Sequence, residues 1–136
     1  TIINSTKMKT GLRLLTISLL LIMTMNVSAQ EEEKLSRKEA NVMLEKADLN
    51  FEEKNYIDAL DQYTQLYNYK PSDLYYKLMM GICLTYDPAQ KKKAIEVIEQ
   101  VKMTNPEYNL CNFYLAKAYA VNYEFDKAVN LFNMFL

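Results

Sequence analysis

The chain has 136 residues, half of them hydrophobic, with 16 basic and 17 acidic side chains and no histidine. That length holds one domain at most, and two glycines with three prolines are too few for an all-β fold punctuated by tight turns. Without histidine the commonest general base near neutral pH and the commonest metal ligand are both missing; Leu, Ala, Glu, Lys and Met are abundant, so the expected fold class is all-α.

In chain order, Lys7, Lys9 and Arg13 precede an apolar run from Leu14 to Met25, and Val27-Ser28-Ala29-Gln30 follows. A basic stretch, an apolar stretch and a small-x-small exit are the three parts of a secretory signal peptide. Residues 1–29 therefore read as a signal peptide cleaved between Ala29 and Gln30, with Met8 as the true start. The apolar run is 12 residues long, short of the ~20 that span a bilayer, so an uncleaved anchor is the weaker alternative. No cysteine stands near the cleavage point, which leaves an acylated lipoprotein signal unsupported. Residues 30–36, with Glu31-Glu32-Glu33-Lys34, form a charged spacer too polar to join a core.

Removing the signal leaves 13 basic against 17 acidic residues. That balance gives no electrostatic footprint for nucleic acid. Lys91-Lys92-Lys93 is the one basic cluster, and it reads as a solvated patch near a helix start.

From residue 37 onward the sequence repeats itself. Ala47, Gly81 and Ala116 are small residues 34 and then 35 positions apart; Ala59, Ala94 and Ala128 are 35 and then 34 apart. Four residues beyond the second set stand Tyr63, Ile98 and Phe132, and twelve beyond its first two members stand Pro71 and Pro106. Small residues let two antiparallel helices approach, the bulky residue fills the space toward the next pair, and proline ends a helix because it cannot continue the backbone ladder. Ser36 with Glu39 has capping-box spacing. Asn55 precedes a helical pattern, while Asp87-Pro88 and Asn105-Pro106-Glu107 suggest caps followed by proline at the first helical position. The expected helices are 37–53, 56–69, 73–86, 89–103, 107–121 and 125–136, with the extra residue of the second repeat absorbed around Tyr86–Gln90.

This pattern resembles the tetratricopeptide repeat, a 34-residue helix–turn–helix unit. The third unit matches best, with Leu115-Ala116, Tyr119, Phe125, Ala128 and Phe132. The second has Met80-Gly81, Leu84, Ala94, Ile98 and Pro106, and the first Ala47, Tyr56, Ala59, Tyr63 and Pro71. Lys46 and Asn50 depart from the pattern, which places Leu and an aromatic there, with Phe51 next door as a substitute. The resemblance implies a right-handed α-solenoid of antiparallel helix hairpins over 37–136, in units of about 37–71, 72–106 and an incomplete 107–136, behind the signal-peptide helix. A signal ending in Ser-Ala-Gln, followed by repeats of the texture Asn55-Tyr56-Ile57-Asp58-Ala59-Leu60, also looks like the N-terminal part of certain Bacteroidetes envelope proteins. Those join such repeats to a β-propeller and an OmpA-like peptidoglycan-binding domain, and some serve secretion and gliding machinery.

The function that the resemblance implies is a non-enzymatic protein–protein interaction scaffold of the bacterial cell envelope, exported to the periplasm or outer membrane. The alternative is a structural spacer within a larger OmpA-like protein. Membrane contact is expected only through the signal peptide or through domains downstream. The partner, another protein or peptide, would lie on the concave face, which in this family is lined by the first helix of each hairpin. By position those residues are Asn41, Leu44, Asp48 and Phe51, then Tyr75, Leu78, Ile82 and Thr85, then Leu110, Phe113, Lys117 and Ala120. Tyr75, Leu78, Ile82, Phe113 and Lys117 are the candidate partner-binding residues, against the competing expectation that apolar stripes at helical spacing are packing. Some members clamp a terminal carboxylate with Asn and Lys; the matching positions hold Asp48, Ile82 and Lys117, so that clamp is not reproduced.

An enzyme is not expected. Glu52-Glu53 and Asp58 with Asp61 are carboxylates of a solvated helix face, two glycines cannot build a phosphate loop, and no nucleophile has a base partner. No cofactor and no metal follow from these residues. Cys83 and Cys111 do not make a zinc pattern; an oxidising compartment would permit a disulfide, but two cysteines inside helices read better as fillers of small apolar slots. The end, Leu131-Phe132-Asn133-Met134-Phe135-Leu136, lacks the polar outer face that a terminal solenoid unit needs. It is expected either to be the cut edge of a longer protein or to be covered by a partner.

Overall fold

The computed structural model describes residues 35–136; the expected signal peptide, its cleavage point at Ala29–Gln30 and most of the charged spacer lie outside the described residues. Within them six helices follow one another: α1 Arg37–Glu52, α2 Tyr56–Tyr69, α3 Leu74–Thr85, α4 Lys91–Thr104, α5 Leu110–Val121 and α6 Phe125–Phe135. No strand occurs among the described residues, so the all-α class holds there.

The helix starts are set by local chemistry. Ser36 caps α1 with a full capping box: its Oγ accepts from the Glu39 amide at 3.3 Å, and its own amide donates to Glu39 Oε2 at 2.8 Å. Asp73 caps α3 by accepting from the Tyr75 amide. Two expected starts are corrected. Asp87 does not cap a helix beginning at Pro88; its Oδ1 accepts from the Ala89 amide at 2.9 Å, closing a turn, and α4 begins at Lys91. Asn105 likewise ends α4, and the Tyr108 amide donates to its carbonyl, so α5 begins at Leu110 rather than near 107. In both places an Asx-Pro pair makes a turn of its own before the helix proper. Asn55 stands at the start of α2, but its side-chain amide donates to Glu53 and makes no cap bond.

The register of the repeat is visible in the connectors. Residues 53–55 join α1 to α2 and residues 122–124 join α5 to α6, each with one left-handed residue, Lys54 at φ 65° and Tyr123 at φ 66°. Residues 86–90 join α3 to α4 through the Asp87 turn, and this longer connector absorbs the extra residue of the second repeat.

Each helix packs on the next, and α3 also touches α5. Short connectors make such neighbours antiparallel. All six small residues of the repeat are buried. At Gly81 the approach is closest, because a Cβ there would lie 2.6 Å from Ile98 Cγ1 and 3.3 Å from Val97 Cγ1. Tyr63 and Ile98 are fully buried, as the repeat requires, while Phe132 is half-buried. Leu66, Ile82 and Val101 complete the core, each worth ~1.5–3 kcal/mol of burial. Cys83 and Cys111 are free, buried thiols that fill core space; burial pushes the Cys83 thiol up to about 12. None of the described helices is long and apolar enough to cross a membrane.

Candidate partner-binding surface

Two aromatic clusters are built on these helices. The first surrounds Asp48 in the middle of α1. Its Oδ1 accepts from the Tyr63 hydroxyl at 2.6 Å and from the Tyr75 hydroxyl at 3.0 Å, and the Tyr75 ring stands edge-on to Tyr63. Tyr63 is entirely enclosed, and burial, followed by the Asp48 carboxylate, holds its phenol well above the usual range. Tyr75 is pushed up to about 12 by burial first and Asp48 second. This cluster locks α1, α2 and α3 together. Asn50, where the repeat pattern places an aromatic, instead donates to Gln62 of α2 at 2.9 Å. Phe51, next to it, is partly buried against the core and packs edge-on to Tyr56.

The second cluster runs across all three hairpins. Phe51 meets Tyr56 with centroids 5.5 Å apart, and Tyr56 stacks on Tyr86 at 4.0 Å with planes 8° apart. Lys117 Nζ donates to the Tyr86 hydroxyl at 2.8 Å and lies over the Tyr86 ring. The same ammonium sits 5.6 Å from the Phe113 ring and 6.0 Å from that of Tyr114. Phe113 then touches Phe132 and Phe135 of α6. A cation within such a cage gains ~0.5–2 kcal/mol from the ring faces. Among the described residues the ion pairs are Lys70–Asp73 and Lys127–Glu124, so no carboxylate neutralises Lys117 there.

The five residues singled out in the sequence divide accordingly. Phe113 and Lys117 stand together, half-buried, in the second cluster. Tyr75 is 39% exposed but belongs to the Asp48 cluster. Leu78 and Ile82, at 2% and 1% exposure, are core residues and as placed offer a partner no surface. The physical reason is that α3 is the central helix, flanked by α2, α4 and α5, so even its expected outer face is packed. Tyr86 and Tyr56 were not expected in this role. Tyr56 reads in sequence as a packing residue and Tyr86 as a helix end; the available signal was that both flank the turn end of successive hairpins, where one ring can reach the other.

No protein-family model matches this chain, and a search of curated proteins finds no match either. What the residues themselves establish is an all-helical domain of six helices packed in adjacent pairs, compatible with a helical repeat.

Proposed function

We propose that this chain is a tetratricopeptide-type protein–protein interaction module of the bacterial envelope, exported by its N-terminal signal and without enzymatic activity. Its hairpins would stack as a right-handed solenoid, which leaves a binding face along the first helices. The observation that carries the binding role is the row Phe51, Tyr56, Tyr86, Lys117 and Phe113, a continuous and partly exposed aromatic path around an ammonium with no carboxylate partner among the described residues. Aromatic side chains with a central cation give large contact area at low conformational cost, the composition that binding surfaces favour. Absence of histidine and burial of both thiols support the non-enzymatic reading.

Peptide-array binding followed by titration tests it. A peptide bound by the full chain should lose at least about tenfold in affinity with Tyr86→Ala or Lys117→Ala, the size of an interface hot spot. Exposed Lys92→Ala should leave affinity unchanged. Folded Tyr86→Ala and Lys117→Ala variants that bind as tightly as the parent would refute the site. Export is tested separately, by sequencing the N-terminus of protein recovered from the periplasm: Gln30 is the expected first residue, and an intact N-terminus refutes cleavage.

A further inference from the structure

Asp48, Ile82 and Lys117 hold the same position in successive units, 34 and then 35 residues apart. Ile82 is core, at 1% exposure. The outer two carry opposite charges and are half-buried, and neither pairs with an opposite charge among the described residues. Each also keeps bonding capacity in reserve. Asp48 Oδ1 accepts from both the Tyr63 and the Tyr75 hydroxyl, a task that an asparagine oxygen would do as well. The second carboxylate oxygen, Oδ2, accepts no bond among the described residues. It is open to solvent, because the enclosed side-chain oxygens without a partner are those of Asn112 and Asn122. Lys117 uses one of its three N–H donors on the Tyr86 hydroxyl.

Between the two charges runs the aromatic row. Phe51 lies one turn beyond Asp48 on α1, Tyr56 and Tyr86 follow, and Tyr86 meets Lys117. This single file of rings is narrower than the ~10–12 Å of a helix, so an extended segment fits it. Helix α3 stands between α1 and α5, bonded to α1 through Tyr75 and Asp48 and packed on α5. Two helix spacings are ~16–20 Å, and an extended chain rising ~3.3 Å per residue covers that span in about five or six residues. We propose, resting on the binding face proposed above, that the row takes an extended peptide with a Lys or Arg for Asp48 and a carboxylate about five or six residues away for Lys117. Opposite charges at the two ends of the row select one direction of that peptide and disfavour the reverse.

The probe is a set of synthetic peptides of Ser, Leu, Phe and Tyr, each with one Arg and one Glu at varied separation and in both orders, titrated against the full chain by fluorescence anisotropy. Binding should be tightest at a separation of about five or six, in one order only. Replacing the Arg or the Glu of that peptide by Gln should each weaken binding about tenfold or more. Asp48→Asn, which keeps the acceptor for both tyrosines, should bind the Arg and Gln peptides alike. Lys117→Glu should reverse the preference at its end, favouring a peptide whose Glu is replaced by Arg. Circular dichroism melts confirm that both variants fold, and the peptide replacements on the parent decide the matter without them. An Asp48→Asn chain that still distinguishes Arg from Gln overturns the cation subsite, and a Lys117→Glu chain that still prefers Glu overturns the anion subsite. A preferred separation of about eleven to thirteen, the helical equivalent of the same span, overturns the extended form. Peptides that bind through Tyr86 but regardless of charge overturn this inference alone, whereas a parent that binds no peptide overturns the binding face with it.

Discussion

Gly81→Ala tests the packing on which the repeat rests. In an exposed helix interior this substitution stabilises by ~0.8–1 kcal/mol, because alanine loses less backbone freedom on folding. Here the new methyl would lie 2.6 Å from Ile98 Cγ1 and 3.3 Å from Val97 Cγ1. Ile98 is fully enclosed and has nowhere to retreat, so the overpacking cost of ~1–3 kcal/mol falls in its upper half. The net expectation is a loss of ~1–2 kcal/mol after the propensity gain is set against it. For a domain of this size that lowers Tm by roughly 4–8 °C per kcal/mol. Urea unfolding followed by circular dichroism measures it, with an unchanged m value showing that the denatured state is not responsible. Ile98→Ala supplies the second arm. The double variant should be less destabilised than the sum of the singles, by a coupling of ~0.5–3 kcal/mol. Stabilisation by about 1 kcal/mol in Gly81→Ala, or strict additivity with Ile98→Ala, would refute the close approach of α3 and α4.

Asp48→Ala strands the buried Tyr63 hydroxyl and also frees that of Tyr75; it should cost ~1–3 kcal/mol in urea unfolding, and Asp48→Asn, which keeps an acceptor, should recover most of it. At high pH the tyrosines decide stability. Tyr75 and Tyr119 are raised from 10.0 to about 12, Tyr119 by burial and then by its bond to Glu99. An unfolded chain ionises there first, so stability is full below pH 10, falls as pH rises and is lost through about 12. Tm measured from neutral to alkaline pH alongside tyrosinate absorbance checks this, and a flat Tm across that window contradicts it. Ser36→Ala should cost ~0.5–2 kcal/mol and loosen α1 alone, read as faster amide exchange in its first turn with α4 unchanged.

The repeat was readable because its features are local and periodic. Small, bulky and proline residues recurring at 34 or 35 positions located the six helices, and Ser36 with Glu39 located the first start. Where the expected starts failed, at Pro88 and near residue 107, a proline turn completed itself before the helix began, and sequence spacing alone does not separate those two outcomes. Phe113 and Lys117 were found as surface candidates because position in a repeat specifies a helix face. Leu78 and Ile82 were placed on that same face by the same logic, yet α3 is enclosed by α2, α4 and α5, and enclosure is a property of neighbours rather than of period.

What the sequence by itself determined, then, was the helical class, the hairpin register and the pairing of small with bulky residues, all consequences of a period written along the chain. Only the tertiary structure decided which rings meet. Tyr56 and Tyr86 are 30 residues apart and Tyr86 and Lys117 are 31 apart; neither pair shares a helix, and it is the stacking of one hairpin on the next that brings them into one row.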